Sequence, residues 1–396
     1  MAKFTILSYP TPSSNNLLSL ADSRSRYMLP IGGRFRVIDF TIRNSISSYA
    51  ENTIIFNSHE DPLQQYIDNY TAEFSETKSH KIMVYPYNSS DIESVLDALI
   101  HVETSFFVLY NGDNPSIINL SHVFEKFKES KKKSLLIKLR IDGKPSMAYK
   151  VVICEKKKII SLVKKAMKDK NKPLNFFEMI INTLIHSGIN TTTLDAYYWP
   201  INSLTDYYFL NREIIWNKEI SDALTEEKII QSKIKTDRFT LLGEMCSVKN
   251  SCISDHCYIN GRVENSIIFP CVDIEEGAVV IDSIILPYVR IGQGARIRNS
   301  IIDESTDANT IQLNVGRSCI IGSGEKYIKN SEFPHLLNSG ITLIGKDNYI
   351  KDGITVGSAC YIASNSSEEY FSIRSKLDDG ESIIGNEQED DDTTSP

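Results

Sequence analysis

Apolar residues recur along the second half of the chain at intervals that fit neither a helix nor an ordinary strand. Ile268, Ile274, Val280, Ile285, Ile291, Ile297 and Ile302 are separated by six, six, five, six, six and five residues, and Ile344, Ile350, Val356 and Ile362 by six throughout. A helix wants a period near 3.6 and a strand a period of 2, whereas six fits one side of a triangular coil of about 18 residues. The beads NSIIF from Asn265, DSIIL from Asp282 and NSIID from Asn299 repeat every 17 residues, with NSCIS at Asn250 a looser copy. The pattern predicts a left-handed parallel β-helix over 228–364, whose core forms only when coils stack. An insert around 305–340, which includes GEKYIKNSEFPHLLNS, breaks the period and is expected to protrude as a loop. After Ser364 the beads stop, so 365–396 reads as a disordered acidic tail.

The first 227 residues have a different texture. Short β-branched or aromatic runs (FTILSY from Phe4, NTIIFNS from Asn52, KIMVYP from Lys81, FFVLYNGD from Phe106, SLLIKLR from Ser134) alternate with helical stretches. That order predicts an α/β domain with a mostly parallel, helix-covered sheet. LSHVFEKFKESKKK reads as a helix capped by Ser121; SMAYKVVIC as a strand; KKIISLVKKAMKD as a helix; TTTLDAYYWPI as one strand; and NSLTDYYFLNREIIW as a helix.

Composition narrows the class. With 396 residues, 41% of them hydrophobic, the chain can bury two cores. No apolar run of about 18 residues occurs, and the first residues lack the pattern of a signal peptide, so a cytosolic protein without membrane contact is expected. Seven cysteines (Cys154, Cys246, Cys252, Cys257, Cys271, Cys319, Cys360) form no CxxC pair, argue against a disulfide framework and read as buried thiols. The net charge of −8, partly in GNEQEDDDTTSP, argues against a nucleic-acid partner.

LPIGGRFRVIDFTIRNSISSYAENTIIF, from Leu29 to Phe56, resembles the segment that follows the nucleotide loop in bacterial glucose-1-phosphate adenylyltransferases. The resemblance implies a nucleotidyltransferase-like, Rossmann-type sheet followed by a hexapeptide-repeat β-helix. It makes Arg24, Arg26, Gly32, Gly33, Arg36 and Asp39 candidates for a remnant phosphate, sugar-phosphate or effector site. Chemically, Gly32-Gly33 permits close backbone approach, Arg36 supplies a cation for phosphate, and Asp39 can hold a cation or hydroxyl. The alternative for the same residues is a turn and an internal ion pair.

Departures from the family pattern matter as much. Its glycine-rich phosphate loop is replaced by PTPSSNNLLSL, which contains no glycine and two prolines unable to donate N–H. Gly112-Asp113 matches the family's first metal carboxylate, making Asp113 the candidate Mg²⁺ ligand, although it could equally cap the next turn. Pro200, in Trp199-Pro200-Ile201-Asn202-Ser203, stands where the second carboxylate belongs. The sugar-phosphate insertion is missing, and Gly143-Lys144-Pro145 reads as a hairpin turn. These losses resemble the GlgD-type subunit, which implies a regulatory role beside a catalytic subunit in ADP-glucose synthesis. Mg²⁺ is then required only if activity remains.

Two other functions compete. An active, divergent sugar-phosphate nucleotidyltransferase is compatible with Arg24, Arg26, Arg36 and Asp113. A hexapeptide-repeat acyltransferase would use His256 as general base, against the reading of His256 as an outward turn residue. An oligomer, self-assembled or with the catalytic subunit and on the pattern of a tetramer, is expected because a solenoid end needs a cap and the acidic tail is too polar to supply one.

Overall fold

A computed structural model describes residues 4–11, 16–58, 60–73, 80–87, 92–141, 144–168, 176–187, 189, 191–218, 239–306, 312–324 and 327–384. The five apolar runs of the first half form strands β1 (Phe4–Tyr9), β2 (Asn52–Asn57), β3 (Lys81–Pro86), β4 (Phe106–Asn111) and β5 (Ser134–Ile141). With β6 (Lys144–Glu155) and β7 (Thr191–Asp195) they make one sheet in the order β7-β5-β6-β4-β1-β2-β3. β1 lies at its heart, parallel to both neighbours, with Leu7 opposite Ile54 on one side and Leu109 on the other. Only β6 runs against its neighbours.

Alternation along these strands splits the core into two layers. Leu7 and Leu109 pack with residues of α3 (Ile92–Ile100), α5 (Lys156–Met167) and α6 (Phe176–His186). Ile6 and Val108 face α4 (Leu120–Glu129) through Val123, Phe124 and Phe127. The cap of α4 is Asn119, whose Oδ1 accepts the His122 N–H at 2.9 Å. Ser121, the expected cap, is buried inside the first turn and accepts the Tyr49 N–H instead. TTTLDAYYWPI is two strands rather than one, because Tyr197–Tyr198 leaves the main sheet and pairs antiparallel with Ser116–Ile117. β5 and β6 pair directly as a hairpin, leaving no room for the missing insertion; Gly143 lies outside the described residues.

The boundary expected at 227/228 also lies outside them, between α7 (Leu204–Trp216) and the first solenoid strand at Leu241–Leu242. From there the chain is a parallel β-helix of three sheets. All the apolar residues of both six-residue runs are buried in one continuous core. The bead corners explain the sequence NS/DS. Asn250, Asn265, Asp282 and Asn299 all have φ between 44° and 50°, a left-handed conformation that Asn and Asp tolerate better than other side chains. In the last three beads the serine that follows is buried, and it bonds to the neighbouring coil: the Ser283 N–H donates to Ser266 Oγ and the Ser300 N–H to Ser283 Oγ, at 3.1 and 3.3 Å.

Two expectations about the solenoid are corrected. The interval 305–340 is not one protruding loop, since Val315 bridges Ile291 and Ile350, and Ile320–Ile321 pairs with Arg296–Ile297 and Thr355–Val356. Two sides of a coil are threaded through it, the third being Thr342–Ile344, and the connections between them break the period. The tail is not disordered from 365: the helix α8 (Ser367–Ile373) replaces one side of a final coil whose strands are Lys376–Leu377 and Ser382–Ile383. Phe371, Leu377 and Ile383 join the core, so this end is covered by the chain itself. A helix disguised the periodicity, and its polar face hid one buried aromatic. Residues 385–396, which hold the acidic run, lie outside the described residues.

The two parts share a core. Leu29, Phe35, Val37, Tyr207 and Leu210 of the α/β part pack on Ile267, Phe269, Ile284, Leu286, Ile301 and Leu343 of the solenoid.

Candidate functional site

In an open, mostly parallel sheet the loops at the carboxyl ends of the central strands form the natural ligand crevice. Here β1 and β4 deliver Thr11 and Asp113 to that edge. Asp113 is fully buried. Its Oδ1 accepts Thr11 Oγ1 at 2.7 Å, Asn111 Nδ2 at 2.8 Å and Asn114 Nδ2 at 2.9 Å. Its Oδ2 accepts the Thr11 N–H and lies 3.2 Å from Arg26 Nε, within ion-pair range although Nε is not aligned for a hydrogen bond. Arg26 Nη2 donates to Asn114 Oδ1 at 3.2 Å and to the Ile201 carbonyl.

This cage tests the Mg²⁺ assignment. Mg²⁺ demands near-octahedral oxygen ligands at about 2.0–2.1 Å and dehydrates reluctantly. Both carboxylate oxygens of Asp113 already face protein donors, and the position expected to carry a second carboxylate is Pro200, beside a carbonyl that Arg26 takes up. The residues present do not fit the metal. Among the described residues no group of three His, Cys, Asp or Glu side chains is placed to hold one.

Sequence reasoning did not single out the rest of this edge. Tyr198 donates to Asn111 Oδ1 at 3.0 Å, and Lys150 Nζ sits 4.7 Å from the Tyr198 ring centroid. Burial lowers the Lys150 pKa, with Asp113 pulling the other way. Burial also pushes the Tyr9 and Tyr198 hydroxyls upward, so both stay protonated donors at neutral pH. The available signal was the run Asn111-Gly112-Asp113-Asn114, two amides flanking an acid, which suits an acid that is to be hydrogen-bonded by its own loop.

The other candidates gather elsewhere, at the junction with the solenoid. Arg24 is buried; its guanidinium engages both oxygens of Asp303 and lies 2.9 Å from Glu304. Arg36 and Lys346 approach the same Glu304 at 3.5 and 3.3 Å. Burial works to raise the Glu304 pKa, but the cations Arg24, Arg36 and Lys346 outweigh it and hold the carboxyl down at about 2. Burial pushes Asp303 up in spite of Arg24. Asp39, at the first turn of α1 (Val37–Ile46), accepts the Arg36 N–H at 2.8 Å and the Tyr66 hydroxyl at 2.7 Å. Full burial nevertheless raises it to about 7.

Gly32 and Gly33 both have positive φ; a Cβ on Gly32 would meet Ile214 at 2.9 Å and one on Gly33 would meet Cys252 at 3.1 Å. They form a tight turn wedged between α7 and the solenoid, and the Gly32 N–H is taken by Asn211 Oδ1. The six candidates therefore do not form one cluster: Arg26 belongs to the Asp113 cage, Arg24, Arg36 and Gly33 meet the solenoid, and Gly32 and Asp39 are bonded within the α/β part. Asp303 carried a readable signal. It occupies the register of Phe269 and Leu286 in the preceding beads, and a carboxylate in an apolar register needs a buried cation.

His256 is a half-buried corner residue at φ 66°, its Nδ1 3.8 Å from Cys271 Sγ, and His335 is exposed. Four of the seven thiols, Cys154, Cys257, Cys319 and Cys360, are buried as expected, whereas Cys246, Cys252 and Cys271 are only half-buried. No helix among the described residues is long and apolar enough to cross a membrane.

Comparisons with known proteins agree with this architecture. Residues 236–344 match a family profile described as "GlmU-like, C-terminal hexapeptide". A glucose-1-phosphate adenylyltransferase from Acetivibrio thermocellus is 22% identical over 369 residues, covering 82% of this chain and 85% of its own length. That similarity runs across both parts, the α/β sheet with its crevice at β1 and β4 and the parallel β-helix packed over the GGRFRVIDF segment, so the chain is similar to a glucose-1-phosphate adenylyltransferase over most of its length.

Proposed function

We propose that the chain is a non-catalytic or weakly catalytic regulatory subunit, of the GlgD type, which assembles with a catalytic glucose-1-phosphate adenylyltransferase and tunes formation of ADP-glucose and pyrophosphate from ATP and glucose 1-phosphate. The observation that carries this reading is the Asp113 cage: a carboxylate at the position of the family's metal ligand, occupied by Thr11, Asn111, Asn114 and Arg26. Two losses support it, the glycine-free loop after β1 and Pro200 in place of the second acid. Preorganised charge-stabilising groups of this kind are commonly worth about a hundredfold or more each in rate. No Mg²⁺ is required in this role, and the site of action is the cytosol.

Shape supports the assembly reading. The far end of the solenoid is closed by α8, but its first coil exposes Leu241, Leu242 and Met245. An apolar edge of that kind suits burial in an oligomer. The alternative, an active divergent nucleotidyltransferase, draws on Arg26 and Lys150 as cations at the crevice. An assay of pyrophosphate release by the purified chain, alone and mixed with a catalytic subunit from the same cell, decides between them. The regulatory reading expects negligible turnover alone and altered turnover or effector response in the mixture. Turnover alone that is lost in Asp113→Asn would establish the alternative.

A further inference from the structure

Two charged runs of the sequence take no part in the crevice at β1 and β4. One is basic: 126–133 holds five lysines and a single acid, Glu129, and Lys156, Lys157 and Lys158 open α5, a helix without any acid. The other is acidic: residues 385–396 carry five carboxylates, on Glu387, Glu389, Asp390, Asp391 and Asp392, and no cation.

Folding brings the two lysine runs together at the end of the sheet opposite the crevice. The Glu155 N–H donates to the Lys133 carbonyl at 3.2 Å and the Lys156 N–H to the Ser105 carbonyl at 3.0 Å, which sets the turn after α4 beside the first turn of α5. Lys156 and Lys158 are anchored there, Lys156 Nζ donating to the Ile100 carbonyl at 2.9 Å and Lys158 Nζ to Ser134 Oγ at 3.3 Å. Lys131, Lys132, Lys133 and Lys157 are exposed, and none of them makes an ion pair among the described residues.

This face is built against its own local electrostatics. A helix N-terminus favours acids, yet α5 places three lysines in its first turn, and the helix holds no acid to support Lys164 or Lys165. Lys131 follows α4 at φ 52°, a conformation in which glycine or asparagine is customary. Cations gathered unpaired in this way fit a surface that is neutralised on binding.

We propose that the face formed by Lys131, Lys132, Lys133 and Lys157 docks the acidic segment 385–396 of a second copy of the chain. Charge complementarity selects the segment, since Glu389 to Asp392 is the densest acidic run in the sequence. Reach selects the copy. β4 runs from the lysine edge to the crevice over six residues, about 20 Å, and the solenoid packs beyond that, on Leu17, Leu18, Leu29 and Phe35, which follow β1. The last coil belongs to the same packed body, because Ser382 pairs with Tyr361, a member of the shared core. Twelve residues span at most about 40 Å when fully extended. A segment leaving Ile384 would be stretched across the sheet of its own chain, whereas a second copy can present its lysine face directly. The docking needs no catalytic subunit and does not rest on the regulatory reading above.

Fluorescence anisotropy of a labelled synthetic peptide of residues 385–396 tests the face. The titrant is the full-length chain with its own tail carboxylates replaced (Glu387→Gln, Glu389→Gln, Asp390→Asn, Asp391→Asn and Asp392→Asn). Binding is expected with Kd on the order of 10–100 µM at about 50 mM salt and about tenfold weaker at about 300 mM. Adding Lys131→Gln, Lys132→Gln and Lys133→Gln, all at exposed positions, is expected to weaken it about tenfold or more, and Lys249→Gln, an exposed cation on the solenoid, to leave it unchanged. No binding up to about 1 mM, or an affinity indifferent to the three lysines, overturns the face. The copy is tested on the unsubstituted chain, mixed as natural-abundance and nitrogen-15 protein and treated with a zero-length carbodiimide cross-linker. Mixed-isotope cross-links between Lys131, Lys132 or Lys133 and the tail carboxylates are expected. Cross-links of a single isotope only would assign each segment to its own chain, and absence of any such cross-link would remove the docking from the intact protein; either result overturns the proposal.

Discussion

The solenoid and the crevice at the end of β1 and β4 use their residues in opposite ways. The coils between Asn250 and Ile302 repeat the same three positions, an apolar side chain turned inward, a corner at positive φ and a serine bonded to a neighbouring coil, so any one role is filled several times over. In the crevice every contact is made once: Asp113 is held by Thr11, 102 residues away, and Arg26 reaches the carbonyl of Ile201. Repetition makes a region legible and locally robust in design. A single-use cluster depends on residues whose meeting no periodicity announces.

Substitutions can break that comparison, and the largest effect is expected inside the solenoid. Ile297 is fully buried between Val280 and Ile321 in its sheet, whereas the neighbouring Arg296 is exposed. Ile297→Asp places an unpaired carboxylate in an apolar column, a cost of several kcal/mol that a coil cannot share with its neighbours. Loss of cooperative unfolding or rapid proteolysis of the second half is the expected result, with Arg296→Ala within about 0.5 kcal/mol of the parent. Equal tolerance at both sites would show that the register does not define the core.

The junction comes next. Arg24→Ala leaves Asp303 and Glu304 buried beside only Arg36 and Lys346, and removing one partner of a buried pair typically costs about 3–5 kcal/mol. Denaturant unfolding measures it. The double variant Arg24→Met with Asp303→Leu is expected to recover most of the loss, because Leu restores the apolar register of Phe269 and Leu286. Failure to recover would mean the ion pair, rather than the burial it permits, holds the two parts together.

These two sites show why the sequence was readable in one place and not in another. The spacing of Ile268 to Ile302 is a property of neighbouring coils, so the fold of 241–304 could be read from a few residues at a time. The coil threaded through 312–344 was missed because its connections are long, and the last coil because α8 substitutes for a strand. In the first half the strands were legible by their apolar runs, but the cap of α4 was not, since Asn119 and Ser121 are both good caps and only the tertiary fold buries the serine. Arg24 and Arg36 read as ligand groups because a guanidinium suited to phosphate is equally suited to a carboxylate. Which of the two it meets depends on Asp303 and Glu304, about 280 residues downstream.

A smaller effect separates the cage at Asp113 from a metal site. Ligand carboxylates repel one another in a metal-free protein, so neutralising one is usually neutral or stabilising. Here Asp113→Ala would strand Thr11, Asn111 and Asn114 donors in a buried space, at about 1–3 kcal/mol in a chelated, metal-free buffer. A more stable variant would show that the carboxylate is held at a cost, as a ligand is.

Asp39 gives an effect of about 2 kcal/mol with a defined sign. Its folded pKa, near 7, lies above its ordinary value of 3.8, so between those values the folded chain binds the extra proton. Stability contributed by this group is therefore greatest below about pH 4–5 and declines as pH rises to 7. Glu304, held at about 2, acts in the opposite sense and only below its ordinary 4.5. Unfolding at pH 5 and 7.5 is expected to favour pH 5 for the parent, and Asp39→Asn to flatten that difference. An unchanged slope would assign the dependence to another group.

The smallest expected effect tests whether coils are energetically equivalent, as the repeat implies. Ser283 Oγ donates to the Ile281 carbonyl at 2.8 Å and accepts the Ser300 N–H at 3.3 Å, while Ser266 Oγ makes the corresponding bonds one coil earlier, at 2.6 and 3.1 Å. Both serines are fully buried, so neither bond can be replaced by water. Ser266→Ala and Ser283→Ala should each cost about 1 kcal/mol and agree within a few tenths. Ser251 makes the same pair of bonds in the looser NSCIS bead, to the Lys249 carbonyl and from the Ser266 N–H, but it is half-exposed and solvent can take its place. Ser251→Ala should therefore cost clearly less than the other two. Equal losses at all three positions would mean that burial of the corner does not set the strength of the ladder, and unequal losses at Ser266 and Ser283 would mean that the coils repeat in geometry but not in energy.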